Sequence, residues 1–157
     1  MFKRLILVSS LICFSAFSGD LPDRTVTPGA LNSAVTQENI DKTICISGYT
    51  GTIRPPASYT TKLKTKQLAS GPYAVTPAKL SDYEEDHLVS LEIGGNPTDE
   101  KNLWPQLWNG QNGAHKKDTL ENKLHKLVCS KKITLKEAQD SVMSNWLDAY
   151  IKYVGVK

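Results

Sequence analysis

Tyr83-Glu-Glu-Asp86-His87-Leu-Val-Ser-Leu-Glu92 runs into Gly94-Gly95-Asn96-Pro97, and Asn102-Leu-Trp-Pro105 follows. Leu88, Val89 and Leu91 make the first run read as a strand. The Gly-Gly-Asn-Pro run is a strong turn signal, and 102–105 reads as a second short strand. Beyond a loop at 108–113, His115 to Cys129 places Leu120, Leu124, Leu127 and Val128 on one side at helical spacing. Thr134-Leu-Lys-Glu137 is a capping box. It opens a second helix whose Leu135, Ala138, Val142, Trp146 and Ala149 hold one apolar face to about Tyr150. Upstream, Tyr59 to Leu68 predicts a short basic helix behind the rigid bend Arg54-Pro55-Pro56. Ile44-Cys45-Ile46 reads as a strand, Thr36 to Thr43 as a short helix, and residues 19–35 as an extended or mobile arm. The expected class is α+β with more helix than strand, and residues 36–157 are expected to form one domain.

The N-terminus predicts export. Lys3 and Arg4 precede an uncharged, mostly apolar run from Leu5 to Phe17, and small residues at Ala16 and Ser18 offer a cut near Gly19. That order is a secretory signal peptide, residues 1–18, and the run is too short for a permanent span of ~20 residues. The mature chain is expected in the periplasm or secreted, with no stable membrane insertion. Losing Lys3 and Arg4 takes 19 Lys+Arg to 17, against 16 Asp+Glu. Global attraction to polyanions is therefore weak, and anion binding must come from local clusters. Cys13 leaves with the signal, so Cys45 and Cys129 are expected to pair in an oxidising compartment.

Chemistry concentrates on Asp86-His87. A carboxylate is a hard oxygen ligand for Mg²⁺ or Mn²⁺, and a neutral imidazole beside it can take a proton from water. Fifteen residues after His87 comes Asn102. The following helix carries His115, Asp118 and Asn122 within about 60° of one another, opposite its leucines. Trp104 and Trp108 are read as core residues.

Asp86-His87, Gly94-Gly95-Asn96, Asn102-Leu-Trp-Pro-Gln and Ala114-His115-Lys-Lys-Asp118 in this order resemble the ββα-metal core of the HNH endonucleases, over residues 83 to about 128. Cys-x-x-Gly-Tyr-Thr, Arg-Pro-Pro and Lys-Asp-x-Leu-Glu-x-x-Leu-His-x-Leu-Val-Cys are similar to small exported proteins built on such a core. The resemblance implies His87 as general base, Asp86 as metal ligand, and Asn102 bracing the loop between the strands. For the ligand from the helix, His115 comes first, Asn122 second and Asp118 third. The cofactor implied is one divalent ion, Mg²⁺ or alternatively Mn²⁺. Arg54, Lys116 and Lys117 are the foremost candidates to bind a DNA or RNA backbone, with little reading of sequence. A second His four residues after His115 and a Cys-rich zinc site, common in that family, are missing from this sequence.

Two functions follow as expectations. One is a monomeric, exported, metal-dependent endonuclease; whether an inhibitor protein accompanies it is open. The alternative is a non-catalytic binding module on a degenerate HNH scaffold.

Overall fold

The computed structural model describes residues 21–155. The expected signal peptide, residues 1–18, lies outside the described residues. Helices α1 (Tyr49–Ile53) and α2 (Ala57–Ala69) precede strand β1 (Tyr83–His87), strand β2 (Leu103–Leu107), and helices α3 (Ala114–Cys129) and α4 (Leu135–Tyr153). The chain is α+β, with β1 and β2 as a two-stranded antiparallel sheet.

Strand β1 stops at His87 and does not run on through Leu91. The register pairs Tyr83 with Leu107, Asp86 with Trp104 and His87 with Leu103. Beyond it, Leu88 N–H donates to the Asn102 carbonyl (2.8 Å), and Val89 N–H turns to the Asn102 side chain (2.9 Å). A single-turn 3₁₀ segment, Leu91–Ile93, then leads into Gly94 at φ 76°. Gly95 is fixed by space: a Cβ there would lie 1.7 Å from the Val89 carbonyl oxygen. Pro105 is tolerated because each strand of a two-stranded sheet is an edge.

Helix α3 packs on α4 and against the 3₁₀ turn after β1. Leu120, Leu124 and Val128 are buried from α3, and Leu135, Ala138, Val142, Trp146 and Ala149 from α4. Thr134 caps α4 by accepting from Glu137 N–H (3.0 Å). The regular apolar spacing of α4 hides an interruption at Asn145, whose backbone leaves helical geometry (φ −163°, ψ 109°). Helix α2 crosses the hairpin: Lys64 Nζ donates to the Tyr83 carbonyl (2.6 Å) and Gln67 Nε2 to that of Leu103 (3.0 Å).

Ile44-Cys45-Ile46 is a turn and not the expected strand. Its amides bond locally, Cys45 N–H to Ile40 O and Ile46 N–H to Thr43 O, and among the described residues no strand lies alongside to pair with it. Cys45 and Cys129 form the expected disulfide, closing a separation of 84 residues. Residues 21–35 have no helix and lie on the core. Tyr73 OH donates to Thr27 Oγ1 (2.8 Å) and accepts from Asp23 N–H (2.8 Å), Val35 is buried, and Leu31 bridges to Gly95. No helix of the described residues is long and apolar enough to cross a membrane.

Candidate functional site

Along β1, Asp86 and His87 face different neighbours, while Glu84 and Glu85 both reach one cleft. His87 and Glu85 line this cleft, of about 270 Å³, with Arg54, Thr60, Thr61, Lys64, Glu84 and Trp108. Asp86 turns the other way, to α3, where its Oδ2 lies 2.8 Å from Lys117 Nζ. The adjacent pair thus serves two different surroundings.

His87 is 5% exposed. Its Nε2 lies 3.0 Å from the Pro97 carbonyl oxygen. A carbonyl only accepts, so Nε2 carries the proton and Nδ1 keeps the lone pair. Burial pushes the imidazole pKa below its usual value, against opposing effects from the Pro97 bond and Asp86. The ring is therefore a neutral proton acceptor at pH 7. Asp86 Oδ1 accepts the His87 backbone N–H (2.7 Å), which ties the base to its neighbour. Asn102 is fully buried. It accepts from Val89 N–H and donates to the carbonyls of Val89 and Asn96, both at 3.0 Å. These bonds hold the two ends of the loop that carries Pro97.

Glu85 was not singled out by the sequence. It is 8% exposed, and among the described residues neither carboxyl oxygen has a hydrogen-bond partner. Burial, then the charge of Asp86, pushes its pKa up to about 8, with Lys64 opposing. Glu84 is pushed up to about 7 by burial and by Asp86, Asp118 and Glu121. A signal was present: Glu85 stands two positions before His87 on one short strand. Trp108, read as core, stands on the cleft wall with its ring 5.4 Å from that of His115. Trp104 is core, with no exposed surface.

The remaining expected residues scatter. Arg54 lines the cleft. Lys116 lies over the Tyr150 ring (4.9 Å to its centroid), turned toward α4. Lys117, expected on the substrate surface, is instead 1% exposed and sits under β1. It donates to the His87 carbonyl (2.7 Å) and pairs with Asp86 and with Glu121. At 100° per residue it falls on the same side of α3 as Leu120, Leu124 and Val128, not with His115 and Asn122, and the end of β1 covers it there. His115 is exposed beside Asp118, at 3.9 Å. Asn122 is exposed and its amide bonds the Asp118 carbonyl (2.8 Å). His125 Nε2 bonds the Ile44 carbonyl (2.8 Å).

The donors expected to hold a divalent ion do not fit one. His115 and Asn122 are exposed on α3, and both Asp86 oxygens are engaged, by the His87 amide and the Lys117 ammonium. A dication within about 4 Å of that ammonium would be repelled by ~8 kcal/mol at the effective dielectric of protein sites. Asp118 feels the charge of Asp86, which with burial raises its pKa. Even so, the one set of three His, Cys, Asp or Glu ligand atoms found close together among the described residues is Cys45, His125 and Cys129. Its two cysteines are the disulfide.

No family model matches the chain, and neither a curated protein nor a solved structure does.

Proposed function

We propose that this chain is an exported nuclease that hydrolyses phosphodiester bonds of DNA or RNA with little sequence preference, on an HNH-like hairpin and helix. The observation that carries the reading is His87: a buried, neutral imidazole whose Nε2 proton is held by Pro97 and whose Nδ1 can accept one, in a cleft that also presents Arg54 and Lys64. The two cations hold the phosphate. His87 Nδ1 takes a proton from water, and the hydroxide attacks phosphorus. The phosphorus bond to the departing 3′ oxygen breaks, and the Glu85 carboxyl, protonated by its surroundings, gives that oxygen its proton. The products are a 5′-phosphate and a 3′-hydroxyl, and the proton on His87 returns to Glu85 through water. Trp108 offers an aromatic face on the cleft wall to an unpaired base. The disulfide is compatible with an oxidising compartment outside the cytoplasm.

The test is to incubate the oxidised mature protein with plasmid and with structured RNA, in Mg²⁺, in Mn²⁺ and in EDTA. Cleavage is expected in at least one buffer, and it should fall by two or more orders of magnitude in His87→Ala. Intact nucleic acid in all three, with a folded protein, would instead favour the binding module.

A further inference from the structure

Lysine on an amphipathic helix ordinarily carries its ammonium to water. Lys117 does the opposite. Its Nζ is enclosed by Asp86 Oδ2 at 2.8 Å, the His87 carbonyl oxygen at 2.7 Å and Glu121 Oε1. Two of these oxygens come from the end of β1 and one from α3, one turn beyond Lys117 itself. Carboxylate and carbonyl oxygens converging from facing elements are the donor set that holds a hard cation. Here the cation is covalently part of the chain.

We propose that the Lys117 ammonium permanently fills the cation position beneath His87, so that the cleft cleaves nucleic acid without a divalent ion. The second half rests on the reading of the cleft as a nuclease. The ammonium neutralises Asp86 and Glu121, which would otherwise repel a phosphate entering the cleft beside Glu84. It also fixes the His87 carbonyl, and through Asp86 the His87 amide, so it is a positioning residue for the base. Burial alone would strip its proton, but Asp86 and Glu121 reverse that and raise its pKa.

Two measurements test this. In the first, protein stripped with EDTA is titrated with Mn²⁺ and free Mn²⁺ is followed by electron paramagnetic resonance. The wild type is expected to show no saturable binding. Lys117→Ala, checked for folding by circular dichroism, is expected to take up one Mn²⁺ that Lys117→Ala/Asp86→Asn does not. In the second, wild-type cleavage rates in EDTA and in Mg²⁺ are expected to agree within about twofold, while any cleavage by Lys117→Ala is expected to need Mn²⁺. Stoichiometric Mn²⁺ on the wild type, lost in Asp86→Asn, would overturn the proposal. So would wild-type cleavage that vanishes in EDTA and returns with Mg²⁺. A folded Lys117→Ala that binds no Mn²⁺ would show that these oxygens are not a cation position. Nucleic acid intact in every buffer would defeat the nuclease reading and metal-free cleavage together, and the Mn²⁺ titration would still decide who occupies the position.

Discussion

Glu85 and His87 stand two positions apart on β1, about 6.6–6.8 Å along the strand, and share one cleft. Burial moves their proton affinities in opposite senses, His87 down and Glu85 up to about 8. At neutral pH one is a free base and the other a held acid, the division of labour that hydrolysis needs. The rate should therefore rise as pH climbs through the depressed His87 value and fall as Glu85 ionises near pH 8. Glu85→Gln should lose about 10²-fold in rate and lose the alkaline limb. Stability carries a second signature. An unfolded Glu85 ionises above 4.5 while the folded one keeps its proton to about 8, so the folded state binds more protons in that window. Stability is full below pH 4.5 and declines through pH 8, by up to a few kcal/mol. Urea midpoints should fall further from pH 5 to pH 8 in the wild type than in Glu85→Gln, where Glu84, raised to about 7, still contributes. Equal slopes in both would mean that the carboxyl is ionised throughout, and the acid role would fail. The sequence made Asp86, His87 and Asn102 legible because their types and order are unusual together. It left Glu85 obscure, because its state is owed to burial by elements distant in the chain, whereas the burial of Lys117 was open to reading from its place three and seven residues before Leu120 and Leu124.

The hairpin between β1 and β2 has little regular pairing beyond His87, and one side chain substitutes for it. Asn102 makes three hydrogen bonds at 2.9–3.0 Å to the main chain of Val89 and Asn96, in full burial. Asn102→Ala would leave two amides, of Val89 and Ala30, and two carbonyls to find water or go unpaired, a loss of about 3 kcal/mol. Asn102→Asp is the sharper test. It keeps the acceptor for Val89 N–H but turns an anionic oxygen on the carbonyls of Val89 and Asn96, so it should be at least as damaging although it is isosteric. Chemical unfolding of both variants checks this, and an Asp variant near wild type would show that the bracing is steric. The same element scale explains what the pattern could and could not foretell. Helix α3 was readable because Leu120, Leu124 and Val128 repeat at helical spacing and are all buried. Ile44-Cys45-Ile46 has the composition of a strand, yet a strand exists only where a partner supplies bonds. Here the local turn, with Cys45 N–H on Ile40 O at 3.0 Å, already satisfies the amides.

On the scale of the molecule, α3 joins two jobs at opposite ends. Lys117 and Glu121, in its first two turns, support the cleft, whereas Cys129 ends the helix in the disulfide to Cys45. Twelve residues of helix separate Lys117 from Cys129, about 18 Å. Between them Leu120, Leu124 and Val128 anchor α3 in the core regardless of the cross-link. The bond across 84 residues acts on the unfolded chain, whose freedom it restricts by up to ~4–5 kcal/mol in the chain-entropy account. Breaking it should thus cost stability without touching the chemistry. Cys45→Ser/Cys129→Ser, or the wild type in reductant, is expected to unfold at a markedly lower urea concentration, with a deficit of ~2–5 kcal/mol. Well below that midpoint, initial rates on plasmid or RNA should stay within about twofold of the oxidised protein. The two readouts separate because the site depends on the start of α3 and the staple on its end. A rate that fell in step with reduction, while circular dichroism held the folded signal, would mean that the cross-link shapes the cleft itself. Arg54, Pro55 and Ala57 follow Cys45 closely and line that cleft, so α1 and the bend at Pro55 would then be the route by which the staple reaches His87.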